Sequence, residues 1–130
     1  MPFVAVHTSR SISPRARSTF GLAVARAYGQ AMQTSHRIVN VGFLHYMDGD
    51  LARYDAAGDA AQEMTVVTCD VRAGRSALLQ EELGRALTAL CAEHLGIPAA
   101  RVAVYLSEHA AHQIYRDGGR APEWSPDEAD

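Results

Sequence analysis

Pro2 follows Met1 directly, and removal of Met1 ahead of so small a residue leaves a secondary amine at the chain start. An α-amino group titrates near pH ~8 in a peptide, and burial or nearby cations lower that value because each disfavours the charged form. An amine brought near neutrality can take a carbon-bound proton and return it, acting as base and then as acid at one atom. A retained Met1 makes the Pro2 nitrogen an amide and ends that chemistry. Arg72-Ala73-Gly74-Arg75-Ser76 is the second candidate. Arginine forks match carboxylates bidentately, and the N–H groups of a helix start favour anions, so two arginines around one glycine suit a carboxylate clamp. The pair reads equally well as two solvated cations at a helix start. His109-x-x-His112 and Cys91-x-x-His94 each offer two metal ligands, short of the three or four a site needs. His7 and His45 lie in strand-like runs, where satisfied or exposed side chains are the ordinary outcome. No metal and no cofactor is expected.

Composition narrows the choice. All 12 basic residues are arginine, and lysine is absent. That excludes a Schiff-base lysine, a phosphate-loop lysine and a lysine general base. The 15 acidic residues leave a net charge of -3, which argues against a nucleic-acid partner. Cys69 and Cys91 lie in apolar runs and read as buried thiols of a reducing compartment. No apolar run is long enough to span a membrane, and the start lacks a signal-peptide layout, so a cytoplasmic protein is expected. A chain of 130 residues that is 48% hydrophobic fits one domain, over 1–130.

These residues need elements to hold them, and the chain supplies a duplication. Residues 1–46 run from an apolar strand-like segment through an Ala-rich stretch to a second strand-like segment. Residues 64–109 repeat that order, starting 63 residues later. Strand, helix, strand is the pattern of a right-handed β-α-β unit with parallel strands. Strands are expected over 2–8, 38–46, 65–72 and 101–107, with a connecting loop or short hairpin over 47–63 and a tail over 110–130. Ser13-Pro14 opens the first helix as cap and first residue, with Phe20, Val24, Ala27 and Ala31 along one side to about Met32. Ser76 caps the second, Leu79, Leu83, Leu87 and Leu90 form its apolar stripe, and Gly96-Ile97-Pro98 stops it. The expected fold is α+β: a four-stranded sheet with two helices on one face. The uncovered, largely apolar face predicts self-association.

Pro2, the repeat and the Val-Arg-Ala-Gly-Arg-Ser junction at 71–76 together resemble the tautomerase superfamily, which includes 4-oxalocrotonate tautomerase and macrophage migration inhibitory factor. The likeness is greatest to its cis-3-chloroacrylic acid dehalogenase branch. It extends through MPFVAVHTSR, the Thr-Ser-His to Val-Asn-Val-Gly-Phe run at 34–43, Val-Ala-Val-Tyr-Leu-Ser-Glu at 102–108 and the Gly118 to Trp124 stretch. The resemblance implies a homotrimer with a site at each subunit boundary and a catalytic amine at Pro2. It makes Arg72 and Arg75 the carboxylate-binding pair and Tyr105 the strand tyrosine that holds or activates water. Tyr28 stands where the branch has a helix histidine, and Arg116 where it has the glutamate that activates water. Both are candidates for substrate binding here. A cation cannot deprotonate water, so efficient dehalogenation is not expected unless a register shift brings in Asp117.

The function expected is a cofactor-independent tautomerase or isomerase acting on a small 2-oxo or unsaturated carboxylic acid. Hydration, decarboxylation or weak dehalogenation by the same residues is the first alternative. A non-catalytic or biosynthetic protein that reuses the fold is the second.

Overall fold

The computed structural model describes residues 2–34, 39–54, 61–123 of the chain. Strand β1 (Phe3–Thr8) leads to helix α1 (Pro14–Met32) and strand β2 (Asn40–His45). A small hairpin of β3 (Ala52–Tyr54) and β4 (Ala61–Glu63) follows. Then come β5 (Thr65–Arg72), α2 (Ala77–Leu95) and β6 (Val102–His109). The main sheet has the order β2-β1-β5-β6, parallel within each half and antiparallel where β1 meets β5.

Both helices are 19 residues long and are built alike at their ends. Ser13 Oγ accepts from Ala16 N, and Ser76 Oγ accepts from Leu79 N, so each cap satisfies an N–H that the helix cannot. Each helix stops at a left-handed residue, Gln33 at φ 54° and Gly96 at φ 67°. Ile97 then folds under the last turn of α2, fully buried, with its N–H on the Cys91 carbonyl. The first helix thus matches the second at an offset of 63 residues, cap for cap.

Alternation along the strands decides which side faces the helices. Val4, Val6, Val67, Cys69 and Val71 point inward with Phe20, Val24, Tyr28, Met32, Leu83, Leu87 and Cys91 to form the core. The expected stripe of α2 is seen, with Leu79 and Leu90 as its partly buried flanks. On α1 the buried line runs Phe20, Val24, Tyr28, Met32, while Ala31 packs at its margin. Both helices therefore cover one face, and among the described residues the other is bare. Phe3, Leu44 and Tyr105 are exposed on that bare face. Gly42 lets the Phe3 ring lie across its backbone, where a Cβ would come within 3.0 Å of the ring tip.

Residues 110–123, expected as tail, hold more structure than that. Strands β7 (Tyr115–Arg116) and β8 (Gly119–Arg120) form a hairpin whose two-residue turn, Asp117-Gly118, has both φ angles positive. That Asp-Gly pair is the turn chemistry a tight hairpin requires. Ala111 and Ala121 are buried and anchor it, and Ala121 N–H donates to the Ile114 carbonyl. Trp124 lies outside the described residues.

Candidate active site

The antiparallel junction between the halves sets the site. Val4 pairs with Cys69, so the register carried two residues back lays Pro2 beside Val71, at the strand end that finishes with Arg72. Pro2 is buried there, and its carbonyl accepts from Asn40 N–H at 3.1 Å. Past Arg72 the chain turns through Ala73 and Gly74, whose φ of 103° demands glycine, and reaches Arg75 directly before the Ser76 cap. Gln80 Nε2 donates to the Arg75 carbonyl and to Glu108 Oε1, tying α2 to β6 beside the turn.

Arg72 and Arg75 are each only 6% exposed. Guanidiniums are rarely so deep unless charge or hydrogen bonding meets them there. Both lie close enough to the Tyr28 phenol to act on it electrostatically. Burial dominates that phenol and pushes its pKa well up, Cys69 and Asp70 add to the rise, and the two arginines oppose it. Tyr28 is therefore a neutral hydroxyl, and it donates to the Asp70 carbonyl at 3.2 Å. Pro2, Arg72, Arg75 and Tyr28 thus gather at one end of the sheet from three different elements. Two guanidiniums brought together at that end can hold a carboxylate between them.

The other two expected residues stand apart in the protomer. Tyr105 is level with Thr68 in the β5–β6 register, three residues short of the Pro2 level, or about 10 Å along the strands. It is 62% exposed on the bare face. Arg116 lies on β7, where its Nη1 donates to Asp117 Oδ2 at 2.9 Å. That contact engages the carboxylate which a register shift would have offered as a base.

One polar pair at this end escapes sequence reading. His109 Nε2 lies 3.0 Å from Asp70 Oδ1, beside Arg72. The residues are 39 apart in the chain, and only the strand register brings them together. Among the described residues no three His, Cys, Asp or Glu side chains are grouped to hold a metal. No helix among them is long and apolar enough to cross a membrane. Two grooves of about 630 and 590 Å³ run along the edges of the sheet, under α1 and α2 respectively. Neither is lined by Pro2, Arg72 or Arg75.

No family model and no curated protein matches the sequence. Solved structures do match the fold. N1, a member of the cis-3-chloroacrylic acid dehalogenase family, superimposes with a TM-score of 0.82 over 93% of this chain and 84% of its own, at 23% identity. A fused 4-OT, as a symmetric trimer, gives 0.80 over 92% and 94%, at 24% identity. Pt0534, inactivated by 2-oxo-3-pentynoate, gives 0.78 over 92% and 94%, at 19% identity. At such identities the likeness is one of fold, and it extends over nearly the whole chain.

Proposed function

From this tautomerase-superfamily fold, we propose that the protein is a cofactor-independent tautomerase or isomerase acting on a small 2-oxo or 2-hydroxy-enoic acid. The observation that carries the reading is the convergence of Pro2 with two buried arginines at one sheet end. With Met1 removed, the Pro2 amine handles the carbon-bound proton of the bound acid, giving it to carbon on ketonisation and taking it back in reverse. Arg72 and Arg75 hold the carboxylate and stabilise the negative charge that builds on the enolate, which is the largest electrostatic demand of such a step. Burial and the adjacent cations both loosen the amine's hold on a proton, which brings it toward the range where it can give a proton as well as take one. Tyr28 backs the arginines as an uncharged hydroxyl whose proton is given to the Asp70 carbonyl.

The bare sheet face and the exposed Tyr105 fit a homotrimer in which each site is completed by a neighbouring protomer, and the symmetric trimer of the fused 4-OT supports that arrangement. Dehalogenation is not favoured, because Arg116 is a cation and holds the Asp117 carboxylate. Turnover of 3-chloroacrylate is expected at background.

The test is ketonisation of phenylenolpyruvate or 2-hydroxymuconate. Intact mass should show loss of Met1, and Pro2→Ala should lose about 100-fold or more in kcat. Arg72→Ala and Arg75→Ala should raise KM as well as lower kcat. Equal rates for wild type and Pro2→Ala would sink the role of the proline. A chain that keeps Met1 would favour a non-catalytic use of the fold.

A further inference from the structure

We propose that His109, oriented by Asp70, is a second proton-transfer group of this site. The proposal rests on the tautomerase reading above. It assigns His109 to the enol oxygen of the substrate and leaves the carbon-bound proton to Pro2.

Strand register places His109 at the end of the sheet that carries the arginines. His109 ends β6 directly opposite Arg72 in the strand register, and its carbonyl accepts from Ala73 N–H at 2.8 Å. The backbone of His109 is therefore fastened to the turn that carries both arginines. Asp70 lies two residues before Arg72 and shares its side of the strand. Its backbone carbonyl receives the Tyr28 hydroxyl, while its carboxylate meets His109. Tyr28, Asp70 and His109 thus form a connected polar chain at the strand end that finishes with Arg72.

The contact also selects the nitrogen. An ionised carboxylate only accepts, so the neutral imidazole donates from Nε2, and Nδ1 is left with the lone pair. This is how a carboxylate fixes the tautomer and orientation of a basic histidine. Both side chains are about two-fifths exposed, so the pair adds little to folding stability. By the strand alternation both residues lie on the sheet face away from the helices, the side that Arg72 shares.

The step balances. A 2-hydroxy-2-enoate bound to the arginines loses its O–H proton to His109 Nδ1. The O–H bond breaks, an N–H bond forms, and the oxygen electron pair becomes the C2 carbonyl. The C2–C3 π pair then takes a proton from protonated Pro2, forming the C3–H bond and leaving the amine neutral. Exchange of one proton with water at each nitrogen restores the enzyme, with no change of oxidation state.

The experiment follows phenylenolpyruvate ketonisation by wild type, His109→Ala and Asp70→Asn. His109→Ala should lower kcat about 100-fold with KM held within about twofold, and added imidazole should restore part of the rate. Asp70→Asn, which keeps a polar partner but not the charge, should lower kcat at least about tenfold. Nitrogen-15 spectra of the ring, taken with phenylpyruvate as the added ligand, should show Nδ1 moving more than Nε2. An unchanged kcat in His109→Ala, or an unmoved ring, overturns the proposal. A rate that falls in His109→Ala but not in Pro2→Ala upholds His109 while removing the proline from the mechanism. The ring titration remains decisive even for a chain that does not turn over this enol.

Discussion

Two thiols show how burial acts on single residues. Cys69 and Cys91 are both fully enclosed in the core, and burial pushes their pKa values up to about 12 and about 11 from the ordinary 9.0. For Cys69 the neighbouring Asp70 adds to the rise. Folding therefore favours the neutral thiol, a contribution complete below pH 9 and lost as pH rises through about 11 at Cys91 and about 12 at Cys69. Urea unfolding should give a free energy that is level to about pH 8.5 and falls above it, by at most ~1.4 kcal/mol per pH unit for each thiol. The raised Tyr28 phenol joins the fall from about pH 10. Cys91→Ala should make the slope shallower, and an unaltered slope would count against a thiol origin. The buried thiols are legible in the sequence because each sits in an apolar run. The His109–Asp70 pair is not, because its partners belong to different strands and neither neighbourhood marks them.

At the scale of elements, the helix ends are the most legible feature of the chain, because the groups that start and stop a helix act on their own neighbours. Ser13-Pro14, Ser76 and Gly96-Ile97-Pro98 each do so within one turn. The β7–β8 hairpin is hidden because two-residue strands have no alternation to read, which leaves Asp117-Gly118 as its one signal. How the halves join is hidden for another reason: each β-α-β unit dictates parallel pairing inside itself and says nothing about its partner. The matched helix ends allow a paired test. Gln33 holds a left-handed conformation that glycine adopts without strain, so Gln33→Gly should stabilise the protein by about 1 kcal/mol. Gly96→Ala meets no atom within 4 Å and should cost about 1–2 kcal/mol through the backbone alone. Thermal unfolding of the two variants should shift in opposite directions, and shifts of the same sign would contradict the role given to the left-handed caps.

For the whole molecule, the decisive property is a sheet with one face buried under two helices and the other bare among the described residues. Exposed Phe3, Leu44 and Tyr105 on that face make a lone protomer a poor final state in water. Sedimentation at micromolar concentration should therefore show the proposed trimer. Val66→Glu, which puts a charge at the centre of the bare face, should yield a helical monomer with ketonisation lost or strongly reduced. A wild-type monomer with full activity would rule the assembly out. Activity that survives in a Val66→Glu monomer would mean that one protomer holds a complete site.

The antiparallel junction has a counterpart at the opposite end of the sheet. There the start of β5 meets the end of β1, and Thr65 and Thr8 share a buried hydroxyl contact of 3.0 Å. Thr65 stands in the second half where Pro2 stands in the first, yet its nitrogen lies within a peptide bond and carries no basic lone pair. Duplication doubled the scaffold without doubling the reactive nitrogen. On the proposed chemistry, an electrophilic acid such as 2-oxo-3-pentynoate should titrate to one covalent equivalent per chain, so that a three-chain assembly saturates at three adducts where its repeated architecture would suggest six.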